Sequence, residues 1–588
     1  MYMPDRQLED MTMIIADVTK FGAVGDGKTD STKAINECLD WTKSMGLHTV
    51  WIPNGVYLID GTLNGDPGFP FRNGGINVPS NISILMDAET VIKIKPNSSW
   101  GYSAFYIGGE SNVKITGGAI IGDRDEHTYT ASPRPTHEWG FGICVEGASN
   151  VLIENVRIAD FTGDGIIISA GGQGYKSSER VTVRNCEISR SRRNNISMTG
   201  CDGVLIEGCS IVDAGTGNGT SPRFGIDIEG YSEGAVIYEK PVNIIIRNNT
   251  FKGNVNSAVT NFNGASVRIE GNQTDGTISY GYGTGTIISG NIIENNPEVS
   301  GQNTGISGQG ANTSGSTREA VIKGNLISGF STGIDIRGEN VFVSGNKIIN
   351  FENAGISVYQ ATNVFIEGND IKNGVPEKKM SIGLSMTQSV NITFSNNNIA
   401  NVILAVRSEA DDAHIKQNVI TRFSRGIWIS QGSAVIDGNF ISPASFQIVP
   451  ESYSISVTNQ ASAVIQNNSI SGFTNFPIYC STEKQTKLIR NTIEDSPLVV
   501  TIYITNGTHE IVGNTITLMR ASRPAVILYL TQSSGTAIMN NTIRSRSADG
   551  ITAIQTNTSR QSMILGNTIA KGTIQSHQTD VVSGNVIV

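Results

Sequence analysis

Acidic, arginine and aromatic side chains are concentrated in one window of this sequence, residues 120–231. Four segments carry them: GDRDEHTYTASPRPTHEWGFGI, ADFTGDGIII, SRSRRNNISM and SPRFGIDIEG. Paired carboxylates can divide the work of general acid and general base, and arginine binds a carboxylate or phosphate through two parallel hydrogen bonds. We therefore expect this window to hold a site that cleaves an anionic or sugar polymer.

Asp227 and Glu229 are the first catalytic candidates. They stand at positions i and i+2 of GIDIEG, so on a strand they share one face, about 6.5–7 Å apart along the backbone. That separation is at the short end of the range for the two carboxyl groups of an inverting glycosidase. Neighbouring carboxylates would raise the pKa of the acid, and arginine would keep the base ionised. The sequence leaves open which carboxyl is the acid, and the alternative is that both are ordinary outward strand charges.

The remaining candidates lie in the same window, with one exception further along the chain. Three more residues are predicted to be catalytic: Asp164, His137 and Glu138. Eight are predicted to bind substrate: Arg192, Arg193, Asn194, Trp139, Asp160, Arg190, Arg223 and Tyr280. The arginines would clamp a uronate or phosphate, and the tryptophan would stack on a sugar ring.

Each of these candidates has a structural alternative. Asp164 in TGDG can be a plain turn residue, and Arg192 and Arg193 can form a solvated corner. A lone His137 is usually structural, although the run His-Glu-Trp is costly to expose without a function. Tyr280 in SYGYGTG extends the groove or only tips a loop.

A repeat of about 21–30 residues runs through the chain and must position these side chains. Its landmark is an Asn at the end of a short apolar stretch. The residue before this Asn is usually Gly or Asn, and the second residue after it is hydrophobic, as in GNLI and GNTI. The landmarks are Asn291, Asn325, Asn346, Asn369, Asn397, Asn418, Asn439, Asn468, Asn491, Asn514, Asn541, Asn567 and Asn585. A unit this small cannot bury a core alone, whereas stacked units can. Asn fits a corner because it tolerates the left-handed conformation. The repeat predicts an all-β fold, a single-stranded right-handed parallel β-helix of about twenty coils.

Aligning the repeats on their Gly-Ile or Asn-Ile step predicts which residues stack. The inward column is Ile143, Ile166, Ile196 and Ile226. The outward columns are then Cys144, Ile167, Ser197 and Asp227, followed by Glu146, Ser169, Thr199 and Glu229. The preceding turn stacks Phe141, Asp164, Asn194 and Phe224, and four residues earlier His137, Asp160 and Arg190 share a column. With coils about 4.8 Å apart, the candidates would occupy one face about 20 Å tall.

The start of the chain departs from the repeat. Asp30-Ser31 can cap a helix whose apolar face is Ala34, Ile35, Cys38 and Leu39, and Gly46 would end it. An amphipathic helix is the expected cover for the unpaired backbone at an open β-helix end. We therefore predict an N-terminal cap over residues 1–75 and a β-helix over 76–588, with the active-site coils at 120–300.

The amino-acid composition excludes several classes of protein. Sixty-six glycines among 588 residues with no collagen period, 38% hydrophobic residues and a net charge of −9 exclude collagen, disorder and a general nucleic-acid footprint. No apolar run approaches a membrane span, and the N-terminus does not resemble a signal peptide. Six cysteines are too few for a disulfide scaffold. Cys186 and Cys209 occupy the same slot one repeat apart and are predicted to be a stacked core pair.

No cofactor is predicted. The cluster Asp123, Arg124, Asp125, Glu126 and His127 can be read as loop ion pairs or as a metal site. We favour the ion pairs because the ligand spacing is not diagnostic of a metal. A bound Ca²⁺ is the alternative left open.

Two stretches resemble known families. DVTKFGAVGDGKTDSTKAINECLDW followed by VWIPNGVYLI resembles the opening of the pectate-lyase-like β-helix superfamily, which includes polygalacturonases, epimerases and phage tailspikes. THEWGFGI, FTGDGI, SRRNNIS and SPRFGIDIEG resemble segments of bacterial and prophage β-helix proteins, including the pre-neck appendage, or tailspike, proteins of phages that infect Gram-positive bacteria. The polygalacturonase motifs N-T-D, G-H-G and R-I-K and the epimerase motif D-P-H-E are missing, which argues against a pectin hydrolase.

The second resemblance implies a homotrimer of the virion that binds and degrades a host surface polymer such as teichoic acid or capsule. It points to these matching residues: His137, Glu138, Asp164, Arg192, Arg193, Asp227 and Glu229. We expect a phage-type appendage enzyme, a hydrolase of glycosidic or phosphodiester bonds, acting on the virion or outside the cell after lysis. The final SGNVIV shows no cap, so a trimer or further residues are expected to cover it. The alternatives are a lyase or hydrolase of uronate polymers, a non-catalytic glycan-binding adhesin, and a structural fibre.

Overall fold

The computed structural model describes residues 15–131, 134–172, 174–233, 236–299, 303–308, 318–373, 381–443, 452–472, 474–495, 499–519, 526–546 and 551–588. The chain divides into two compact units. Unit 1 comprises Met1–Gln273 and Val299–Gly301, and unit 2 comprises Thr274–Glu298 and Gln302–Val588.

Unit 1 is a stack of coils, each of which contributes short strands to three parallel sheets. Sheet A contains Ala16–Asp17, Thr49–Ile52, Ser83–Met86, Ser111–Thr116, Ser149–Glu154, Ser178–Arg184, Cys201–Glu207, Pro241–Arg247 and Ala265–Glu270. Sheet B contains Asp26–Asp30, Gly55–Ile59, Thr90–Ile94, Ala119–Ile121, Arg157–Ala159, Glu187–Ser189, Ser210–Val212 and Thr250–Lys252. Sheet C contains Ile76–Asn77, Gly101–Gly108, Trp139–Glu146, Ile166–Ser169, Ile196–Met198, Phe224–Ile228 and Ser257–Asn261. An antiparallel pair, Ser232–Glu233 with Val236–Ile237, follows the sixth strand of sheet C.

A helix packs against the first coils of unit 1, as predicted. A short 3₁₀ helix, Val18–Phe21, precedes it, and the α-helix runs over Thr32–Ser44. Asp30 Oδ1 accepts a hydrogen bond from the amide of Thr32 at 3.0 Å, and Gly46 adopts φ 66° just beyond the helix end. Ile35, Cys38 and Leu39 are completely buried. The helix thus covers apolar residues and backbone at the start of the stack.

Unit 2 has its own three sheets, for which the letters A, B and C are used again, and some of its strands are longer. Some strands turn a corner and enter more than one sheet: Thr332–Ser344, Ala354–Glu367, Ile382–Ser395, Asn398–Lys416 and Val419–Ile429. Sheet A also contains Thr284–Ser289, Arg318–Lys323, Ser433–Asp437, Ser462–Gln466, Thr486–Ile489, His509–Val512, Ala537–Met539, Met563–Leu565 and Val581–Ser583. Sheet B also contains Ile292–Glu294, Leu326–Ser328, Lys347–Ile349, Asp370–Lys372, Phe440–Ser442, Ser469–Gly472, Thr492–Asp495, Thr515–Leu518, Thr542–Ser545, Thr568–Ala570 and Val586–Ile587. Sheet C also contains Ile278–Tyr280, Thr304–Gly308, Tyr453–Asn459, Phe476–Thr482, Val500–Thr505, Val526–Ser534, Thr552–Arg560 and Thr573–Gln575. The two-residue strand Gln273–Thr274 contains the boundary between the units.

The predicted Asn landmarks are confirmed as a stacked column, but their role differs from the prediction. In unit 2 the side chain of Asn418 is buried, and its Nδ2 donates to Oδ1 of Asn439 in the next coil at 2.9 Å. The same step recurs from Asn325 to Asn585. The left-handed corner belongs instead to the preceding residue, such as Gly438 with φ 66°. The landmark Asn therefore satisfies buried backbone inside the corner, while Gly or another residue before it makes the turn.

The two cysteines predicted to stack do so. Cys186 and Cys209 are buried and unbonded, and the amide of Cys186 lies 3.5 Å from Sγ of Cys209. The amide of Cys209 in turn donates to Oδ1 of Asn249 at 2.8 Å. The pair therefore occupies the corner position that Asn holds in later coils.

Candidate functional site

Four successive strands of sheet C in unit 1 carry the candidate site. Their register is the predicted one, because Ile143, Ile166, Ile196 and Ile226 pair in one ladder. The same ladders align the outward column Cys144, Ile167, Ser197 and Asp227. The prediction of which residues face outward together is therefore confirmed for these coils.

Arg193 lies among three carboxylates at the start of these strands. Its Nη1 is 3.0 Å from Oδ2 of Asp164, and its Nε is 3.6 Å from Oε2 of Glu138. Its Nη2 is 4.0 Å from Oδ2 of Asp227. Only 21% of the arginine side chain is exposed, so these charges interact with little screening by water. Burial disfavours the guanidinium charge, but the acids, led by Asp164 and Asp227, outweigh it and raise the pKa of Arg193.

Asn194 connects the carboxylates of adjacent coils. Its amide N–H donates to Oδ1 of Asp164 at 2.9 Å, and its Nδ2 donates to Oδ2 of Asp227 at 3.1 Å. Its Oδ1 accepts from the amide of Phe224 at 2.8 Å. The turn stacking predicted for Asp164, Asn194 and Phe224 is thus realised as a chain of hydrogen bonds.

The two buried carboxyl groups hold their protons more tightly than usual. Burial raises the pKa of Asp227 to about 7, the nearby Arg193 opposes this, and Glu229 adds to it. Burial also raises the pKa of Asp164 against the opposing charge of Arg193. Glu229 follows the strand, its amide donates to the carbonyl of Met198 at 3.0 Å, and its side chain is exposed. The site therefore combines a carboxyl whose pKa is raised to about 7 with a solvent-facing carboxyl two residues away.

An aromatic wall stands beside this group. The rings of Trp139 and Trp100 meet edge to face at 5.4 Å. The Arg134 guanidinium lies over both, 4.4 Å from the first ring and 4.7 Å from the second. Sequence reasoning identified Trp139 and missed Trp100 and Arg134, although the run Ser-Ser-Trp before sheet C was a usable signal. The wall offers apolar surface together with one cation.

An outward apolar cluster borders the site on sheet C. Phe71, Phe141, Cys144 and Ile167 pack together, with Tyr106 and Trp139 against them. Beyond it Arg72 holds the buried Glu146, with Nη2 2.5 Å from Oε1. Sequence reasoning placed Glu146 in the outward column but missed the arginine, because Arg72 arrives on a loop between coils.

His137 lies outside the column in which it was predicted. It is completely buried with φ 46°, and its Nδ1 is 2.8 Å from Nε2 of His127. Its Nε2 lies 3.0 Å from the amide nitrogen of Thr130 and 3.0 Å from the carbonyl oxygen of that residue. The corner opposite Asp160 is filled instead by Gly122, whose amide donates to the carbonyl of Ala159. Counting back from the strand failed because this coil carries a long insertion between the strands Ala119–Ile121 and Trp139–Glu146.

The insertion contains a buried polar chain that sequence reasoning did not assemble. Tyr102 donates to Oδ1 of Asp123 at 2.7 Å, and Oδ2 of Asp123 is 2.8 Å from Nδ1 of His127. Burial lowers the pKa of His137 at the end of this chain. Other members of the Asp123–His127 cluster form ion pairs, Glu126 with Lys93 at 3.0 Å and Asp125 with Arg190 at 2.8 Å. In the parts of the chain that the structure describes, no three His, Cys, Asp or Glu side chains are grouped to hold a metal ion.

The other predicted arginines make corner contacts. Arg190 pairs with Asp160 at 2.7 Å and with Asp125 at 2.8 Å, so the predicted stacking of Asp160 with Arg190 is confirmed. Arg192 donates to the carbonyls of Asn218 and Thr136, and its guanidinium lies 4.4 Å over the Tyr129 ring.

The last two predicted binders occupy different positions. Arg223 sits half-buried in the turn before Phe224–Ile228, with φ 66°. Tyr280 belongs to unit 2, where its ring is completely buried. A ring without an exposed face cannot stack on a sugar, so Tyr280 neither extends a groove nor lies at the tip of a loop; it is a core residue.

Comparison with known proteins gives two family matches. The description "Right handed beta helix region" matches residues 174–314, 278–441 and 382–521. Together these segments span 174–521, more than half of the 588 residues. The description "Rhamnogalacturonase A/epimerase, pectate lyase-like" matches residues 15–221.

Three relatives place the chain more closely. It is 56% identical to the uncharacterized protein YclG of Bacillus subtilis (strain 168), over 98% of this chain and 100% of that protein. It is 31% identical to Alginate lyase 7 of Azotobacter vinelandii, over 29% of this chain and 17% of that protein. It is 22% identical to the Preneck appendage protein of Bacillus phage PZA, over 42% of this chain and 27% of that protein. No helix in the described ranges is long and apolar enough to cross a membrane. With its stacked parallel coils and these matches, the chain belongs to the right-handed β-helix family and is related to phage appendage proteins and polysaccharide-acting β-helix enzymes.

Proposed function

We propose that this protein is a phage-type appendage enzyme that binds and cleaves a polymer of the bacterial cell surface, teichoic acid or capsular polysaccharide. The observation that carries the proposal is Asp227, a carboxyl group 3% exposed whose pKa is raised to about 7, two residues from the exposed Glu229. General acids of this kind work best when their pKa lies near the working pH.

In the proposed hydrolysis Asp227 donates its proton to the leaving oxygen of a glycosidic or phosphodiester bond as that bond breaks. Glu229 accepts a proton from a water molecule, whose oxygen forms the new bond to the anomeric carbon or phosphorus. Arg193 and Asn194 hold Asp227 in place through their contacts at 4.0 Å and 3.1 Å. Asp164 fixes the guanidinium from the other side at 3.0 Å. No cofactor enters this scheme.

The aromatic and charged side chains around the catalytic carboxyls would bind the substrate. The Trp139–Trp100 wall can pack on the apolar face of a sugar ring, and Arg134 adds a positive charge for an anionic unit. Glu138 and Arg193, each partly exposed, adjoin this wall, since Glu138 precedes Trp139 in the chain. The site thus offers an apolar wall with the cation Arg134 beside a group of carboxyls.

Relatives support the biological setting. The Preneck appendage protein belongs to a phage, and Alginate lyase 7 is named for action on a polysaccharide. We infer that this chain acts as a homotrimer on a virion, or outside the cell after lysis. Sedimentation of the purified protein tests the trimer, and a monomer at micromolar concentration would contradict it.

The test compares Asp227→Asn with a control, Glu187→Gln. Glu187 is 53% exposed in sheet B and pairs with Arg157 at 3.6 Å. Wild type and variants are incubated with purified capsule, teichoic acid and alginate, with and without a calcium chelator. Products are read for a new reducing end, a phosphomonoester or an unsaturated end. We expect Asp227→Asn to lose cleavage by about 10²–10⁴-fold while the control keeps it.

The outcomes separate the alternatives. Equal cleavage by Asp227→Asn would overturn the site. Tight polymer binding without product from wild type would favour an adhesin. An unsaturated end would favour a lyase, in which arginine stabilises the uronate. Loss of cleavage on chelation would favour bound Ca²⁺.

A further inference from the structure

A column of aromatic residues runs along the outward face of sheet C in unit 2. The register aligns side chains from successive coils in this order: Arg407, Trp428, Ser456, Tyr479, Tyr503 and Tyr529. Trp428 and the three tyrosines are half-exposed. Tyr479 and Tyr503, from adjacent coils, stack in parallel with centroids 5.5 Å apart and 9° between planes. Neighbouring rings in this column therefore fill the space between coils.

Ser456 interrupts the column and opens a cleft. It separates Trp428 from Tyr479, so these rings are two coil spacings apart, about 9–10 Å. Contact between stacked carbon surfaces needs about 3.5–4 Å on each side, which leaves room for one ring between them. A cavity of about 520 Å³ occupies this place. We call it the Trp428–Tyr479 cleft.

The walls of the cleft combine apolar faces with polar edges. Trp428 is fixed because its Nε1 donates to Oγ1 of Thr458 at 2.9 Å. Phe476 supports Tyr479, with centroids 5.4 Å apart. The cleft is lined by Arg425, Trp428, Tyr453, Ser456, Thr458, Phe476, Tyr479 and Tyr503. Among the residues that the structure describes, this lining has hydroxyls and one arginine and no carboxylate, so it offers groups for binding rather than for acid–base cleavage.

This lining favours a saccharide over other ligands. A pyranose ring has two C–H faces that can pack on the aromatic rings and a rim of hydroxyls that can bond to Ser, Thr, Tyr and Arg side chains. A β-strand of a partner would need a free sheet edge, whereas the strands Val419–Ile429, Tyr453–Asn459 and Phe476–Thr482 are paired with one another. The net charge of −9 disfavours nucleic acid.

We propose that the Trp428–Tyr479 cleft is a second, non-catalytic glycan site that holds one pyranose unit between the two rings. This inference rests on the proposed function only in taking the ligand to be part of a glycan polymer. Binding at a non-cleaving site in unit 2 would keep the polymer attached between cleavage events. A polymer that is held at one site has a raised effective concentration at the other site.

The test uses Ser456→Tyr in the full chain. The next two coils carry Tyr at this column position, so the new ring extends an existing stack into the cleft. The probes are methyl glycosides of glucose, galactose, N-acetylglucosamine and galacturonic acid, with adenosine monophosphate as the nucleotide arm. Binding is followed by saturation-transfer NMR and tryptophan fluorescence. Trp428→Ala is the second variant.

We expect at least one glycoside to bind wild type with a dissociation constant raised tenfold or more by Ser456→Tyr and by Trp428→Ala. Thermal unfolding should show that Ser456→Tyr is folded, and its cleavage of short oligosaccharides should equal that of wild type. Unchanged glycoside binding in a folded Ser456→Tyr would overturn the second site and leave the proposed function intact. Preferential binding of the nucleotide would overturn the saccharide assignment. If Asp227→Asn loses cleavage while Ser456→Tyr leaves glycoside binding unchanged, the second site is wrong and the proposed function stands. If Ser456→Tyr weakens binding while Asp227→Asn cleaves as wild type does, the second site stands and the catalytic assignment is wrong.

Discussion

Nη2 of Arg193 lies 4.0 Å from Oδ2 of Asp227, whereas Nη1 of the same guanidinium lies 3.0 Å from Oδ2 of Asp164. One arginine thus holds one buried carboxylate tightly and the other loosely. Burial raises the pKa of both carboxyls, that of Asp227 to about 7, and Asp164, with the closer contact, anchors the arginine. Two titratable groups in one site whose environments differ in this way are suited to different roles.

Replacing Arg193 should destabilise the fold and the site together. Arg193→Met leaves Asp164 and Asp227 buried beside no counter-charge, and removal of one partner of a buried pair costs about 3–5 kcal/mol. The measurement is the free energy of unfolding in urea at pH 8, compared with pH 5, where protonation of the acids relieves part of the loss.

Arg247→Met is the matched control for this change. Arg247 pairs with Glu207 at 2.8 Å on the surface of sheet A, with 41% of its side chain exposed. Such pairs contribute about 0–1 kcal/mol. Equal losses in the two variants would contradict the central role given to Arg193.

The pH dependence of both rate and stability should report on Asp227. Its pKa is about 7 in the folded protein and about 3.9 when unfolded. The acid form is needed for proton donation, so the cleavage rate should fall about tenfold per pH unit above 7.

Stability should change in the same direction. Between about pH 4 and 7 the folded chain binds a proton that the unfolded chain releases, so the free energy of unfolding should decrease as pH rises through this window. Asp227→Asn should remove that part of the decrease. A variant whose stability follows the same pH curve as wild type would place the titration on another group.

The sequence repeat predicted some positions of each coil correctly and one wrongly. Periodicity located the corner Asn and the inward Ile of each coil, because both follow from stacking identical units. The same pattern assigned the left-handed conformation to the wrong residue. Gly438 and Asn439 are adjacent, and only the backbone angles show that Gly438 makes the turn while the side chain of Asn439 points inward.

The candidate site was predictable only where the coils keep their period. Asp164, Arg193 and Asp227 fall on regular coils and meet as expected. His137 stands at the end of the long insertion in its coil, and the path of this insertion depends on partners such as Tyr102 from the preceding coil. Long-range contacts of an irregular loop leave no period in the sequence, so Arg72, Trp100 and Arg134 were not identified.

The buried Asn column should be a measurable source of stability. In Asn418→Ala the carbonyl of Phe394 and the side chains of two neighbouring Asn residues lose partners at 2.9–3.1 Å. Unsatisfied buried polar groups cost about 1–3 kcal/mol each, so we expect a loss of at least about 2 kcal/mol in denaturant unfolding. Asn398→Ala, which removes a half-exposed contact with Asp370 at 3.0 Å, should cost less than half of that. Similar costs would mean that the column adds no more than surface hydrogen bonds.

The thiols should be unreactive until the protein unfolds. All six cysteines are buried and none forms a disulfide, and burial raises the pKa of Cys201 to about 12 and of Cys480 to about 12. A thiol reagent at pH 8 should label none of them in the native protein within minutes and six in guanidinium, with or without prior reduction. A difference caused by reduction would indicate a Cys186–Cys209 disulfide.

His137→Gln should separate a structural role from a catalytic one. In the structure both ring nitrogens are engaged within the insertion, with His127 and Thr130, and burial lowers the pKa of the ring. Its replacement should therefore lower thermal stability and reduce kcat/KM less than tenfold, by loosening the loop that carries Glu138. The fall in rate above pH 7 should remain, because Asp227 produces it. If the variant instead loses that pH dependence or its rate falls by more than about 10²-fold with the fold intact, His137 is itself the proton donor or acceptor.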